Sequence, residues 1–147
     1  YNSLGISLGA LGEVEKSLAY YNEALYYLKL VDFDKFQEAS VLNNIGVVYR
    51  NNKQYKKAIQ NFKTVLETDS LEINDLDLYA KALSNLASSK LYDKDTLGVY
   101  KLLFEAIEIK SRENMTASLA SSYLSYAEYN AYAALGIFSG IREKRSC

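Results

Sequence analysis

Apolar residues recur along most of the chain at intervals of three and four residues, the spacing of one face of an α-helix. Two such stripes flank the polar stretch 50–54: Leu42, Ile45, Gly46 and Tyr49 before it, and Tyr55, Ala58, Ile59, Phe62 and Val65 after it. No stretch shows the convincing alternation of a β-strand. The pattern predicts an all-α fold of helix–turn–helix units, with helices at about 1–11 and 13–29, 34–51 and 53–68, 75–92 and 95–110, and 115–134 and 137–145.

These stripes repeat along the chain every 40–41 residues. A small residue recurs at Gly5, Gly46, Ala87 and Ala127, and a large apolar residue follows 16 positions later at Tyr21, Phe62 and Leu103. Such a period is typical of an array in which each hairpin packs on the next. We expect one array over residues 1–147, cut from a longer protein, with units at about 1–31, 32–72, 73–112 and 113–147. The small residues should mark the closest helix contacts.

Composition narrows the possible chemistry. The chain has no Pro and only 7 Gly, which favours helix, and no His, which excludes His-based catalysis and His metal ligands within it. Its one cysteine, Cys147, cannot form a thiolate metal site alone. A net charge of −1 lacks the basic footprint of a nucleic-acid binder. We expect no metal, no cofactor and no nucleic-acid partner.

Two pairs of carboxylates are the remaining candidates for catalysis. Glu105 with Glu108, and Asp75 with Asp77, could do acid–base work. They fall instead where a helix surface and a helix cap are expected. The sequence contains no phosphate-binding Gly-rich loop and no nucleophile elbow. We therefore predict that the protein is not an enzyme.

The small and large residues that recur in each unit resemble the pattern of the tetratricopeptide repeat. The resemblance is closest in the second unit, with Leu42, Ile45, Gly46, Tyr49, Tyr55, Ala58 and Phe62. The resemblance implies an α-solenoid of antiparallel helix pairs wound into a right-handed superhelix. It also implies a concave groove, lined by the first helix of each pair, that takes a protein or peptide partner. Units near 40 residues, rich in Asn and Tyr, are similar to arrays in bacterial sensor kinases and transcription regulators.

The family's groove positions, transferred to this sequence, give eight candidate peptide-binding residues: Asn2, Asn43, Asn44, Val47, Arg50, Asn85, Ser88 and Leu91. An Asn side chain donates and accepts hydrogen bonds, so it can pair with the backbone of an extended peptide. Alternatively, Asn44 and Asn85 satisfy backbone groups where helices meet. Val47 and Leu91 would form an apolar floor. Arg50 is a lone cation, too few for the carboxylate grip of chaperone-binding members.

Two functions stay open at this point. The first is a protein- or peptide-binding scaffold that serves as the sensing or interaction part of a larger regulatory protein. The second is a structural element that forms homo-oligomers through the open ends of the array, because an uncapped terminal repeat leaves apolar surface exposed. No apolar run approaches the roughly 18 residues of a membrane span. Of the two compartments left open, we favour the cytoplasm over the periplasm.

Overall fold

The computed structural model describes residues 2, 5, 6, 13–31 and 34–135. This part of the chain contains seven helices and no strand: α1 (Val14–Leu30), α2 (Lys35–Asn51), α3 (Tyr55–Leu66), α4 (Leu71–Asn74), α5 (Leu76–Tyr92), α6 (Val99–Arg112) and α7 (Thr116–Ala134). The predicted all-α helical repeat is confirmed. Residues 2, 5 and 6 are helical, while the rest of the predicted helix 1–11 and all of 137–145 lie outside the described residues.

Side-chain caps fix the starts of α2 and α5. The Asp34 carboxylate accepts hydrogen bonds from the backbone N–H groups of Phe36 (2.9 Å) and Gln37 (3.3 Å). Asp75 accepts one from the N–H of Leu78 (3.0 Å). These bonds satisfy donors that the first turn of a helix leaves without a partner. Both helices therefore begin within a residue of their predicted starts.

Two features differ from the prediction by more than two residues. The linker after α3 contains the short helix α4, whose Leu71 is fully buried against Val65 and Leu78. Four residues are too few to leave a periodic pattern, so the sequence indicated only a linker there. Helix α6 begins at Val99 and not at residue 95, because Asp95 caps a preceding turn through the N–H of Leu97 (3.0 Å).

The turns inside the two complete hairpins have the same backbone geometry. Lys53 and Lys94, which lie 41 residues apart in the sequence, both adopt left-handed φ angles, of 59° and 61°. The residue after each lysine donates its N–H to a carbonyl five residues back, on Tyr49 (2.8 Å) and Lys90 (2.9 Å). Left-handed residues commonly end helices in this way. The repeat therefore extends from the side-chain pattern to the turn backbone.

Glycine permits the closest contacts in the first two units. A Cβ atom on Gly46 would lie 2.6 Å from the Phe62 ring, and one on Gly5 would lie 2.8 Å from the Tyr21 ring. Real Cβ atoms do not approach side chains so closely. These small residues were predicted to mark the closest helix contacts, and at both sites the contact is with the large residue 16 positions later.

The third unit makes the same contact with alanine. Ala87 and Leu103 are fully buried in one apolar cluster. In the fourth unit Ala127 is exposed, and the segment predicted to pack on it, 137–145, lies outside the described residues.

The hairpins stack so that their first helices lie side by side. Helix α2 pairs with α3 and α5 pairs with α6, while α3 packs on α5 and α6 packs on α7. The first helices also touch directly, α2 with α5 and α5 with α7. This arrangement brings side chains from three successive first helices to one face.

Candidate peptide-binding site

A pocket of about 470 Å³ opens on the face shared by α2, α5 and α7. We call it the first-helix pocket. Hydroxyl, amide and charged groups dominate its lining, with Leu124 and two tyrosines as the apolar part. Its lining residues are Arg50, Asn51, Lys53, Tyr55, Ser84, Asn85, Ser88, Tyr92, Ser121, Leu124, Ser125 and Glu128.

Polar side chains join α2 to α5 along this pocket. The Nη1 group of Arg50 donates to Asn85 Oδ1 (2.7 Å) and Ser88 Oγ (3.2 Å), and Asn85 Nδ2 donates to Asn43 Oδ1 (3.1 Å). Asn43 and Arg50 are seven residues apart, two turns along one face of α2, so a single α5 side chain reaches both. We call Asn43, Arg50, Asn85 and Ser88 the amide junction.

The same pairing occurs one unit earlier. Asn44 Nδ2 donates to Asn2 Oδ1 (3.2 Å), and this pair, like Asn85 with Asn43, is separated by 42 residues. In each pair, the donor lies two positions before the recurring small residue of its own unit. The acceptor lies three positions before the small residue of the preceding unit. The asparagines therefore pair with each other. Among the described residues, the side-chain amides of Asn44 and Asn85 bond to side chains and not to the backbone.

Arg50 has no acidic partner among the described residues. Five cations there form ion pairs, and Arg50 is not one of them. Burial lowers the pKa of the Arg50 guanidinium, and the nearby Tyr92 opposes that shift. Because an arginine stays protonated in proteins, its charge faces the pocket without a counterion.

A different polar contact joins α5 and α6 to α7. The Lys110 ammonium donates to Ser84 Oγ (2.6 Å), Ser122 Oγ (2.8 Å) and the backbone carbonyl of Ser118 (3.2 Å). The two hydroxyls also lie 2.9 Å apart. Lys110 is 2% exposed. We call Ser84, Lys110, Ser118 and Ser122 the lysine junction, and Ser84 is its link to the pocket.

The lysine junction buries a charge without a hydrogen-bonded carboxylate. Burial lowers the pKa of Lys110 to about 8, with Asp77 opposing the shift and Lys81 adding to it. All three ammonium donors have oxygen partners, which is the usual requirement for a buried charged group. The protonated form still loses solvation that neutral hydroxyls do not replace.

The structure brings three of the eight sequence-predicted site residues together at the pocket: Arg50, Asn85 and Ser88. The three other asparagines lie in the hydrogen-bonded pairs. Val47 is half-buried and packs against the cluster of Ala58, Phe62 and Leu86.

The assignment of Leu91 to an apolar groove floor is wrong. Its side chain is 4% exposed and packs with Val99 and Leu103 in the core of the α5–α6 hairpin. The residue lies in the last turn of α5, where the chain reverses and α6 covers that face.

The eight predicted site residues include none from α7, although this helix contributes to the pocket. Ser121, Leu124, Ser125 and Glu128 line it. The last three occupy groove columns in the fourth unit, so the repeat register could have found them. Lys110 gave no such signal, because it lies among charged residues at the end of a helix and reads as exposed.

Of the predicted carboxylate candidates, Asp75 caps α5 and Asp77 forms an ion pair with Lys81. Glu105 accepts a hydrogen bond from Tyr79 Oη (2.9 Å), and burial together with this bond raises the pKa of Tyr79 to about 12. Across the described ranges, no three His, Cys, Asp or Glu side chains are grouped so that they could hold a metal ion. None of the helices described is long and apolar enough to cross a membrane.

Comparison with known proteins finds one family match, over the first part of the chain. Residues 1–69, a little under half of the 147-residue chain, match the family model described as Tetratricopeptide repeat. No curated protein and no solved structure matches the chain. The matched segment contains the Gly5–Tyr21 and Gly46–Phe62 contacts, and α5–α6 repeats the same hairpin beyond it. This match and the seven described helices fit a repeat protein of the tetratricopeptide type.

Proposed function

We propose that this chain is a non-catalytic scaffold that holds an extended peptide segment of a partner protein in the first-helix pocket. Tetratricopeptide repeats commonly mediate protein–protein interaction, and the scaffold would be the interaction part of a larger regulatory protein. The observation that carries the proposal is the pocket itself, where three successive first helices present hydrogen-bonding side chains to one space.

The lining suits a peptide backbone. Serine hydroxyls at Ser88, Ser121 and Ser125 can donate or accept, so they can pair with either the N–H or the C=O groups of an extended chain. Leu124, which is 68% exposed, and Tyr92, which is 49% exposed, offer apolar contact for ligand side chains. This polar lining differs from the mostly apolar pocket of a small-molecule site and suits a ligand held through its backbone groups.

Absence of catalysis is supported by the chemistry of the lysine junction. Ser84 and Lys110 are close enough to be a nucleophile and its base. However, Lys110 is 2% exposed and does not line the pocket, and its nitrogen is enclosed by Ser84, Ser122 and the Ser118 carbonyl, so it does not face a bound ligand. The same atoms are better explained as a structural contact between helices.

The experiment is a steric block of the pocket. A peptide is first selected from a random-sequence display library against the purified chain, and its affinity is measured by calorimetry. Ser121→Trp places a large ring at an exposed pocket position, and Lys101→Trp places the same ring on exposed α6. We expect the first to weaken binding by about 10-fold or more, the loss of a few good contacts. Equal affinities for both variants would contradict the proposal.

An oligomerisation role is the second candidate, favoured by exposed apolar side chains at α6. Tyr100 is 48% exposed, Phe104 is 56% exposed, and Leu97 just before the helix is 79% exposed. A second copy covering these residues would give a mass that rises with concentration in analytical ultracentrifugation, and Phe104→Ser would abolish that rise. A concentration-independent monomer mass would exclude this role.

A further inference from the structure

We infer that lysines at the turns inside the α2–α3 and α5–α6 hairpins bind an acidic segment of a partner protein, outside the first-helix pocket. The inference goes beyond the proposed function, which concerns that pocket alone. It starts from the uneven distribution of charge along the chain. Residues 39–66 contain five Lys and Arg residues and no Asp or Glu. The other 12 of the 17 cations share the rest of the chain with all 18 carboxylates, a net charge of −6.

Four exposed lysines lie at the edge where the helices of these two hairpins are joined. We call this set the basic edge: Lys53, Lys56, Lys57 and Lys94. The Tyr55 ring follows the first turn and stacks on the Tyr92 ring, which precedes the second, with the ring centroids 5.6 Å apart. The two turns therefore adjoin, and their lysines can contact one partner.

No carboxylate of the described chain neutralises the basic edge. The ion pairs found there use five other cations, at Lys16, Lys35, Lys81, Lys90 and Arg112. Lys57 lies over the Tyr49 ring instead, with its Nζ 5.3 Å from the ring centroid. Asp95, in the turn that carries Lys94, already pairs with Lys90 (3.1 Å). The four ammonium groups are therefore available to an acidic partner.

Two of these lysines stand where the helix itself disfavours them. The N-terminal end of a helix has a partial positive charge, so acidic residues are stabilising in the first turn. Helices α1, α2 and α5 follow this rule with Glu15, Glu38 and Asp77. Helix α3 has Lys56 and Lys57 there, with no acidic residue in the first turn and no side-chain cap. Because functional sites are where local stability rules are broken, we attribute these lysines to binding.

An acidic protein segment fits the basic edge better than a nucleic acid does. Asp93 and Asp95 flank Lys94, and the chain as a whole has a net charge of −1. A continuous phosphate backbone would meet these carboxylates as well as the lysines. Asp and Glu side chains spaced along a peptide can pair with the lysines and avoid the carboxylates. Leu97, which is 79% exposed in the same turn, adds an apolar contact for such a segment.

A second copy of the chain matches the basic edge less well. Five of its carboxylates near the linkers between hairpins are already engaged. They cap helices or form ion pairs, at Asp34, Asp75, Asp69, Asp77 and Glu113. A partner protein whose Asp and Glu side chains are free has more to gain from pairing with the lysines.

The test uses a fluorescein-labelled peptide in which Glu and Asp alternate with Ser around one Leu. A matched peptide has Gln and Asn in place of the acids. Binding to the purified chain is followed by fluorescence anisotropy. We expect saturable binding of the acidic peptide that weakens as salt is raised, because exposed charges are screened, and none of the neutral peptide. The Ser121→Trp variant should bind the acidic peptide as the wild type does, since Ser121 lines the first-helix pocket.

Two double variants with the same change in net charge locate the site. Lys56→Gln with Lys57→Gln should weaken binding by about 3- to 10-fold, the loss of two exposed ion pairs. The matched control is Lys29→Gln with Lys101→Gln, at exposed lysines outside the basic edge, and it should leave affinity unchanged. The first double variant should also melt at a temperature equal to or above that of the wild type, because it removes positive charge from a helix N-terminus.

Equal affinities for the two double variants would overturn the inference, and so would equal binding of the neutral and the acidic peptide. A lower melting temperature of the Lys56 and Lys57 variant with unchanged affinity would make these lysines structural. Tighter binding of a single-stranded oligonucleotide of the same charge would assign a nucleic acid in place of the acidic segment. If Ser121→Trp blocks the acidic peptide, the peptide lies in the first-helix pocket, so the basic edge is wrong and the pocket stands.

Discussion

The amide junction and the lysine junction occupy equivalent places between neighbouring first helices, but they use different chemistry. Between α2 and α5, Asn85 bonds to Asn43 on one side and Arg50 on the other. Between α5 and α7, Ser84 and Ser122 meet over the ammonium of Lys110. The first arrangement buries neutral amides and leaves its cation at the pocket, whereas the second buries the cation itself.

This difference teaches how one repeat position can serve two purposes. Neutral hydrogen bonds exchange solvent partners for protein partners at little net cost, so the amide junction can hold the Arg50 side chain in place at the pocket. A buried ammonium has a desolvation penalty that hydroxyls offset only in part. We therefore interpret the amide junction as the functional contact and the lysine junction as a structural one, and four predictions separate them.

The largest expected effect is a pH-dependent gain in stability from Lys110. Its folded-state pKa of about 8 lies below the ordinary value of 10.5. Between these pH values the unfolded chain binds more protons, so stability rises with pH across this window, by no more than about 3 kcal/mol. The measurement is urea unfolding at pH 7 to 10.5 for the wild type and for Lys110→Met. The difference between their free energies of unfolding at each pH removes the contributions of the other titratable groups. A difference that does not change with pH would contradict the buried charge.

Replacing the lysine should stabilise the protein at neutral pH. Lys110→Met keeps most of the side-chain volume and removes the buried charge, while Ser84 and Ser122 keep each other as partners. We expect a gain of about 1–2 kcal/mol, measured as a higher urea midpoint, because apolar replacements of buried ions are often stabilising. Lys101→Met, on the exposed face of the same helix, is the matched control and should change little. A loss of stability in Lys110→Met would show that the hydrogen bonds of Lys110 stabilise the fold by more than burial of its charge destabilises it.

The amide junction should behave as an ordinary neutral contact. A double-mutant cycle on Asn43→Ala and Asn85→Ala should give a coupling energy of about 0.5–1.5 kcal/mol, the net worth of one hydrogen bond. Unlike the lysine junction, this coupling should be the same at pH 7 and pH 10. A coupling near zero would mean that the two amides do not meet in solution.

The smallest effect is expected at the pair Asn2 and Asn44. Both residues are half-exposed, so water replaces the lost partner when Asn44 is truncated. Asn44→Ala should lower stability by about 0.5 kcal/mol and leave binding in the first-helix pocket unchanged. Weakened peptide binding in this variant would extend the site toward the first unit.

Much of the fold could be predicted because small and large side chains recur at fixed spacing in each repeat. Gly46 and Phe62 fix a helix contact that no larger residue allows, and the same spacing recurs at Gly5 and Ala87. Asp34 and Asp75 likewise indicate where helices begin, because their side chains cap the first turn through local hydrogen bonds. The four residues of α4 could not be predicted, because burial of Leu71 depends on packing between hairpins.

The candidate site was less predictable than the fold. The repeat register placed Arg50, Asn85 and Ser88 on one face, but side-chain hydrogen bonds between units cannot be deduced from a column of asparagines. Leu91 was misassigned because a groove position near a helix end is covered by the next helix. Lys110 was missed because the charged residues around it indicate an exposed position. Its three oxygen partners lie on α5 and α7, and the sequence does not show that these helices pack against it.

The most direct test of the central claim is an NMR map of the library-selected peptide on the ¹⁵N-labelled chain. If the peptide lies in the first-helix pocket, the largest amide shifts fall on α2, α5 and α7 around Arg50, Ser88 and Ser125, with α6 nearly unchanged. Shifts concentrated on α6 around Tyr100 and Phe104 would contradict it and move the binding surface to the opposite helices.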